Sequence, residues 1–120
     1  MASRTFVDAS NWTISSADAV FDECLDHKAL DFAQQLSQAC AGGIDIYFES
    51  VGGKVFDAVL PLLNTKARIP VCGLISHYNA MTLPEGPDHL SLLMRTILFK
   101  RLRFQGLIVF EDYGHRYEEF

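Results

Sequence analysis

The chain of 120 residues is 49% hydrophobic and 21% charged, proportions typical of one folded domain, which exclude a disordered or low-complexity chain. Ten Lys and Arg residues against fifteen Asp and Glu residues give a formal net charge of -5, the wrong sign for neutralising DNA or RNA phosphates. No apolar stretch reaches the roughly 18 residues of a membrane span, and the N-terminus lacks a signal-peptide pattern. We therefore expect a cytoplasmic protein with neither nucleic-acid nor membrane partners.

The spacing of the cysteines and histidines predicts neither a metal site nor a disulfide framework. The cysteines match neither a disulfide framework nor a CxxC metal pair, which predicts reduced, mostly buried thiols. Three of the four histidines likewise share no ligand spacing. The residues concerned are Cys24, Cys40, Cys72, His27, His89 and His115.

Apolar periodicity predicts strands and helices that alternate along the chain. The predicted elements are a short strand within 16–26, an amphipathic helix over 28–40, a strand over 44–49, a glycine turn over 50–53, a helix over 55–63, a strand over 67–74, a loop over 76–87, a helix over 88–99 and a strand over 103–110. This alternation indicates an α/β fold with about four parallel strands and flanking helices. Strands 44–49 and 67–74 are apolar on both faces, which predicts helices on both sides. Pro70 lacks a donor, so its strand should either end its regular ladder there or bulge.

Two segments at predicted strand ends could carry chemistry, because ligands of open parallel sheets bind there. In 49–53, two glycines and Ser50 could approach a ligand, or could form a tight turn for geometry alone. Segment 71–79 crowds hydroxyl, imidazole, phenol and amide groups, or is a solvated turn. The basic run 100–103 favours a helix-capping role over phosphate binding. Two pairs of neighbouring acids near the C-terminus are most simply interpreted as solvated side chains. They are Glu111 with Asp112 and Glu118 with Glu119.

Four segments, 43–64, 68–79, 83–87 and 101–116, carry a family resemblance. Through them the chain resembles the medium-chain dehydrogenase/reductase superfamily, in the zinc-independent branch of prostaglandin reductases and bacterial curcumin reductases. The resemblance implies an oxidoreductase with a Rossmann fold and NADP as cofactor. It also implies metal-free hydride transfer to the double bond of α,β-unsaturated ketones or aldehydes, and homodimers.

The same resemblance assigns residue roles. Ser50 stands where the family has asparagine and lacks the amide donor of that contact. Tyr78 is the candidate catalytic residue, whose phenol could polarise a substrate carbonyl or relay a proton. The cofactor-binding residues implied are Ser50, Val51, Gly52, Cys72, Gly73, Leu74, Tyr78, Leu107, Ile108 and Val109. No metal ligand is implied.

The chain is much shorter than the family it resembles. We expect 19–120 to be a partial dinucleotide-binding domain without the glycine-rich phosphate loop or the substrate domain, and 1–18 is unassigned. Such a truncated reductase should be incompetent alone. The alternative is a noncatalytic remnant or interaction module that retains half a Rossmann fold. A third interpretation, another nucleotide or S-adenosylmethionine domain, rests only on the acidic strand end at Glu49.

The strand order of a Rossmann fold predicts how this part of the sheet would end. Strands missing from the chain would leave the strand over 44–49 with an open apolar edge. We expect that edge to be covered by segment 20–26, by segment 5–7 or by a second copy of the chain. The far edge, 103–110, is where family dimers pair their sheets, so we expect a homo-oligomer formed through sheet edges.

Overall fold

Strands and helices alternate in the computed structural model, which describes residues 6–8, 23–82 and 88–119. In chain order its elements are β1 (Phe6–Asp8), β2 (Glu23–Leu25), α1 (Phe32–Ala39), β3 (Ile44–Ile46), α2 (Gly53–Val59), a 3-10 turn (Leu60–Leu62), β4 (Leu63–Val71), a 3-10 turn (Ile75–His77), α3 (Leu90–Lys100), β5 (Arg103–Gly106), α4 (Val109–Tyr113) and a 3-10 segment (Gly114–Glu119). Residues 1–5 and 9–22, which include most of the unassigned segment 1–18, lie outside the described residues, as does 83–87.

The main sheet is parallel, with β4 between β3 and β5. The crossovers β3-α2-β4 and β4-α3-β5 pack both helices against one face, as right-handed connections require. This arrangement confirms the predicted α/β fold, a partial Rossmann-like sheet with flanking helices. The strands do not form one sheet of about four, because β1 and β2 pair with each other in a separate parallel ribbon.

The core lies between the sheet and its helices. Leu63, Ala67 and Ile69 of β4 are each 1% exposed. Residues 67 and 69 follow the strand alternation, whereas Thr65 is exposed because the strand is irregular around Lys66. Beside these buried residues, the ring of Phe56 is tilted against the ring of Tyr47 and edge-on to the ring of Phe104. The centroid distances of these two pairs are 6.3 and 6.2 Å. The remaining buried members come from the other elements: Leu25, Leu36, Ala39, Cys40, Val59, Leu60 and Leu102.

Strand β4 begins four residues earlier than predicted and ends at Val71 rather than residue 74. Its irregularity lies at Lys66, whose φ is 65°, where the register with β3 shifts between Leu63 and Arg68. The prediction for Pro70 is confirmed on the β3 side only, where the regular ladder ends at the Ile46–Arg68 pair and Glu49 and Val71 form an isolated bridge beyond it, because the N–H that proline lacks would face β3. On the β5 side the pairing continues through Pro70 to Val71.

The prediction of a strand over 103–110 is also wrong in its second half. Strand β5 stops at Gly106, and α4 begins at Val109. The cause is local: the Asp112 carboxylate accepts from the Ile108 N–H at 2.8 Å, which favours a helical turn over a continued strand. The helices over 32–39 and 90–100 lie inside or near their predicted spans.

The outer edge of β3 is not covered as expected. Among the described residues no strand pairs with it, and Ile46 and Phe48 are 51% and 52% exposed. Strand β2 pairs with β1 instead and buries Leu25 in the core cluster beside α1, which removes both expected intrachain covers at their described residues. The expectation of helices on both faces is likewise not met by α1, α2 and α3, which all pack into one core cluster.

Candidate functional site

The turn after β3 and the loop after β4 are joined by backbone hydrogen bonds. The Glu49 carbonyl accepts from Cys72 N–H at 2.8 Å and from Gly73 N–H at 3.2 Å. The Ser50 carbonyl accepts from Ile75 N–H at 3.0 Å. The two segments singled out in the sequence therefore form one unit at the carboxyl end of the sheet, the end at which open α/β sheets bind ligands.

Gly52 and the Ser76 side chain close this unit more tightly. The Val51 carbonyl accepts from Ser76 N–H at 3.0 Å and from Ser76 Oγ at 2.5 Å. Gly52 has a φ of 76°, and a Cβ on it would lie 3.1 Å from Leu74 Cδ2 and 3.3 Å from Ser76 Oγ. A side chain at this position would strain the turn and press on the loop, so glycine is needed here for geometry.

An open cleft of about 510 Å³ lies between the ends of β4 and β5. Its volume falls in the range of roughly 300–1,000 Å³ found for small-molecule sites. Backbone and apolar side chains form most of its walls, with a phenol and two carboxylates among them. The lining residues are Val71, Cys72, Gly73, Leu74, Tyr78, Gly106, Leu107, Ile108, Glu111 and Asp112.

Tyr78 reaches into this cleft from the 3-10 turn. Its hydroxyl oxygen accepts from Leu74 N–H at 3.1 Å, and it lies 2.6 Å from the point where a Cβ on Gly73 would stand. Gly73 thus makes room for the phenol. A hydroxyl that accepts one bond still has its own hydrogen to donate, and Tyr78 is 67% exposed. The phenol could therefore donate to an oxygen of a bound molecule.

The predicted site residues fall into three positions. Residues 72–74, Tyr78, Leu107 and Ile108 line the cleft. Ser50, Val51 and Gly52 form the adjoining turn, outside the lining. Val109 begins α4 and is 49% exposed, so it does not line the cleft as a strand residue would.

Sequence reasoning noted three acidic residues of this region without placing them in the site. Glu111 and Asp112 are exposed, as expected of solvated acids, but they also line the cleft. Their position in the sequence directly after residues 107–109, which the resemblance assigns to the cofactor site, was the available signal. Glu49 is 3% exposed, and the signal for it was a single acid between an apolar strand and a glycine turn.

Burial and charge act together on Tyr47. Burial, the nearby Glu49 charge and a 3.3 Å hydrogen bond from the phenol to Glu49 Oε1 raise the pKa of Tyr47 well above its usual range. The phenol is therefore held in its neutral, donating form. Tyr47 lies under the turn and not in the cleft.

The basic run after α3 serves the fold. Lys100 Nζ donates to the carbonyls of Pro61 and Leu63 at 2.9 and 2.7 Å, and Arg101 closes the helix end with a φ of 51°. Lys100 thus caps the carbonyls of a neighbouring segment as well as lying at its own helix terminus. This geometry agrees with a structural role for the run.

The described residues hold neither a candidate metal site nor a candidate membrane span. In 6–8, 23–82 and 88–119, no group of three or more His, Cys, Asp and Glu side chains could hold a metal ion. No helix in these same ranges is long and apolar enough to cross a membrane.

Comparison with known proteins identifies the family. A family profile described as zinc-binding dehydrogenase matches residues 7–120. The NADPH-dependent curcumin reductase of Escherichia coli K12 is 71% identical over 100 residues, which cover 83% of this chain and 29% of that protein. The 2-alkenal reductase (NADP(+)-dependent) of Nicotiana tabacum is 44% identical over 101 residues, covering 83% of this chain and 28% of that protein.

The fold agrees with the sequence. The crystal structure of CurA in complex with NADPH from Vibrio vulnificus has a TM-score of 0.76 and 71% sequence identity over 82% of this chain and 29% of that one. The chain spans less than a third of the length of these relatives. The family match and both levels of identity show that the chain belongs to the zinc-binding dehydrogenase family, within the medium-chain dehydrogenase/reductase superfamily.

Proposed function

We propose that this chain supplies the nicotinamide-binding end of an NADP-dependent reductase that acts on the double bond of α,β-unsaturated ketones and aldehydes. The observation that carries the proposal is the cleft at the ends of β4 and β5, in which residues 72–74, Tyr78 and residues 107–108 come together. Relatives named as NADPH-dependent curcumin reductase, alkenal reductase and (+)-pulegone reductase support the substrate class.

The cleft suits the uncharged end of a dinucleotide better than its phosphates. Glu111 and Asp112 give the rim a negative potential, which would repel a pyrophosphate. A carboxamide-bearing ring instead needs apolar walls and a few hydrogen-bonding groups, which residues 107–108 and 72–74 offer. The phosphates would then bind elsewhere, in a part of the enzyme that the matched 29% of the relatives does not include.

The cofactor, when bound, supplies the hydride. The protein's own residues would position the substrate and polarise its carbonyl group. Tyr78 would donate its hydroxyl hydrogen to the substrate carbonyl while Leu74 N–H holds the oxygen in place. Gly73 would keep the space that the phenol occupies, and the apolar side chains of Leu74 and Ile108 would exclude water from the reacting carbons.

A titration of the purified chain with NADPH, followed by nicotinamide fluorescence, tests the proposal. We expect saturable binding, weakened by Gly73→Ala because the new Cβ would meet the Tyr78 hydroxyl at 2.6 Å. Gly114→Ala is the matched control, since a Cβ there meets nothing within 4 Å. Absence of saturable binding, or equal binding by both variants, would contradict the assignment of the cleft.

The open edge of β3 favours a second candidate, an interaction module that retains half a nucleotide-binding fold. Unpaired strand edges with apolar side chains promote association, and Ile46 is 51% exposed there. The occupant we propose is a second copy of the chain, paired edge to edge. Sedimentation velocity should show concentration-dependent association that Ile46→Lys abolishes and Leu30→Lys, at an exposed loop position, does not. A monomer at every concentration would rule this candidate out.

A further inference from the structure

Glu49 is a buried acid that the proposed chemistry does not use. It follows β3, makes a bridge to Val71 and is 3% exposed, and among the described residues it is the one polar side chain in the buried class. Burying a carboxylate is costly unless donors surround it. Three donors converge on Glu49 Oε1: Val51 N–H at 2.8 Å, Gly52 N–H at 2.7 Å and the Tyr47 hydroxyl at 3.3 Å.

The two amides define what the turn can still bind. Consecutive backbone N–H groups that point to one spot form a concavity suited to an anion such as a phosphate oxygen. In this turn the concavity is already filled by Glu49 Oε1. The carbonyls of the turn are also engaged, since Ser50 O accepts from Ile75 and Val51 O accepts from Ser76.

Glu49 acts on the cleft wall as well. Its carbonyl accepts from Cys72 and Gly73 N–H, which are the first residues of the loop that lines the cleft. One residue therefore holds the turn through its side chain and the cleft wall through its backbone. A change of the side chain should loosen the turn and leave the backbone bonds to the wall in place.

We infer that Glu49 is a positioning residue that takes the place of an external anion in the 50–52 turn. The amides of Val51 and Gly52 consequently bind no phosphate. This inference rests on the proposed nucleotide function for its effect on affinity. The hydrogen bonding that it describes is independent of that function.

Two substitutions of Glu49 separate the effect of its hydrogen bonds from the effect of its side-chain volume. Glu49→Gln keeps an oxygen acceptor of the same length, whereas Glu49→Met fills the same space with no comparable acceptor. In backbone amide exchange measured by NMR, we expect Val51 and Gly52 to exchange about tenfold faster in Glu49→Met. They should stay protected in Glu49→Gln, and Cys72 and Gly73 should change little in either variant. Glu118→Met, at an exposed position, is the matched control.

The NADPH affinity gives the functional readout. We expect Glu49→Met to raise the dissociation constant about tenfold and Glu49→Gln to restore it close to the unsubstituted value. Unchanged exchange at Val51 and Gly52 in Glu49→Met would overturn the inference. If the unsubstituted chain binds no NADPH, the proposed function fails, and the exchange pattern still decides the role of Glu49.

A titration of the unsubstituted chain with inorganic phosphate keeps the inference testable even if Glu49→Met does not fold. We expect the amide resonances of Val51 and Gly52 to stay in place as phosphate is added at millimolar concentrations, because their hydrogens are already donated to Glu49. Saturable shifts confined to these two amides would overturn the inference, because they would show that the concavity accepts an external anion.

Discussion

The two faces of the β3-β4-β5 sheet differ sharply. One face carries Ala67, Ile69 and Phe104, which are buried or half-buried beneath α2 and α3. The other face carries Ile46, Arg68 and Arg103, which are register partners across the three strands and are all exposed. The pleat of the sheet separates these two rows, since neighbouring residues of a strand point to opposite sides.

The difference shows which part of the fold this chain completes by itself. The covered face is supplied with helices by the crossovers within the chain, because a βαβ unit brings its own helix. The open face has no described helix against it. Its two arginines lie side by side, and no ion pair is seen for either of them among the described residues. A sheet with one complete face is what we expect from a chain spanning 29% of its relatives.

The largest expected effect comes from shortening the same residue type on the two faces. Ile69→Ala should lower the free energy of unfolding by about 2–5 kcal/mol, because Ile69 is 1% exposed and its removal leaves a cavity. Ile46→Ala should change it by no more than about 0.5 kcal/mol, because Ile46 is half exposed. Urea unfolding of both variants measures the difference. Equal losses would mean that the open face is covered in solution.

The covered face should also depend on the lysine that fastens α3. Lys100→Met removes two charge-assisted hydrogen bonds, to Pro61 O and Leu63 O, and leaves both carbonyls without that donor. We expect a loss of about 1–3 kcal/mol in urea unfolding. Lys54→Met, at an exposed position of α2, should cost no more than about 0.5 kcal/mol. A Lys100 loss as small as that of Lys54 would show that α3 is held by its apolar side chains alone.

Removing the Tyr47 hydroxyl should lower the free energy of unfolding by a smaller amount, and that amount should depend on pH. Tyr47→Phe removes the hydrogen bond to Glu49 and should cost about 0.5–1.5 kcal/mol near neutral pH. Because burial and Glu49 raise the pKa of Tyr47 in the folded state, its contribution is complete below the unfolded pKa of about 10 and falls as pH rises above it.

Urea unfolding from neutral pH to above pH 10 checks this sign. The unsubstituted chain should lose stability faster than Tyr47→Phe above pH 10, so that the two curves converge there. Parallel curves would mean that Tyr47 titrates alike in the folded and unfolded states.

The sequence predicted the elements of the fold better than their ends and their partners. Apolar periodicity identified the helices near 28–40 and 88–99, because one face of each packs on the core. It misplaced the start of β4 at residue 67, because Asn64 and Thr65 read as a turn although they lie in an irregular strand around Lys66. It also extended β5 through Phe110, because hydrophobic periodicity does not reveal the hydrogen bond that Ile108 N–H donates to the Asp112 carboxylate at the start of α4.

The candidate site was predictable in part. The strand-end rule and the family resemblance together picked out 49–53 and 71–79, which the structure joins. The place of Glu49 between an apolar strand and a glycine turn marked it as unusual, but its burial and its two amide donors depend on the curl of the turn, which periodicity does not give. The sequence also did not predict that Glu111 and Asp112 lie on the cleft rim, because their position there follows from the early end of β5.

The smallest expected effect is a gain on the open face. Arg68 and Arg103 are register partners on adjacent strands, and like charges placed there repel. Arg103→Thr should therefore stabilise the chain by about 0.2–1 kcal/mol at low salt, with the gain shrinking as salt screens the pair. Gln105→Thr, on the same face and strand, introduces the same threonine without relieving charge and should show no salt dependence. If Arg103→Thr instead destabilises the chain by an amount that shrinks as salt is added, an acidic group lies on this face in solution, and the contrast between the two faces would be smaller than the structure indicates.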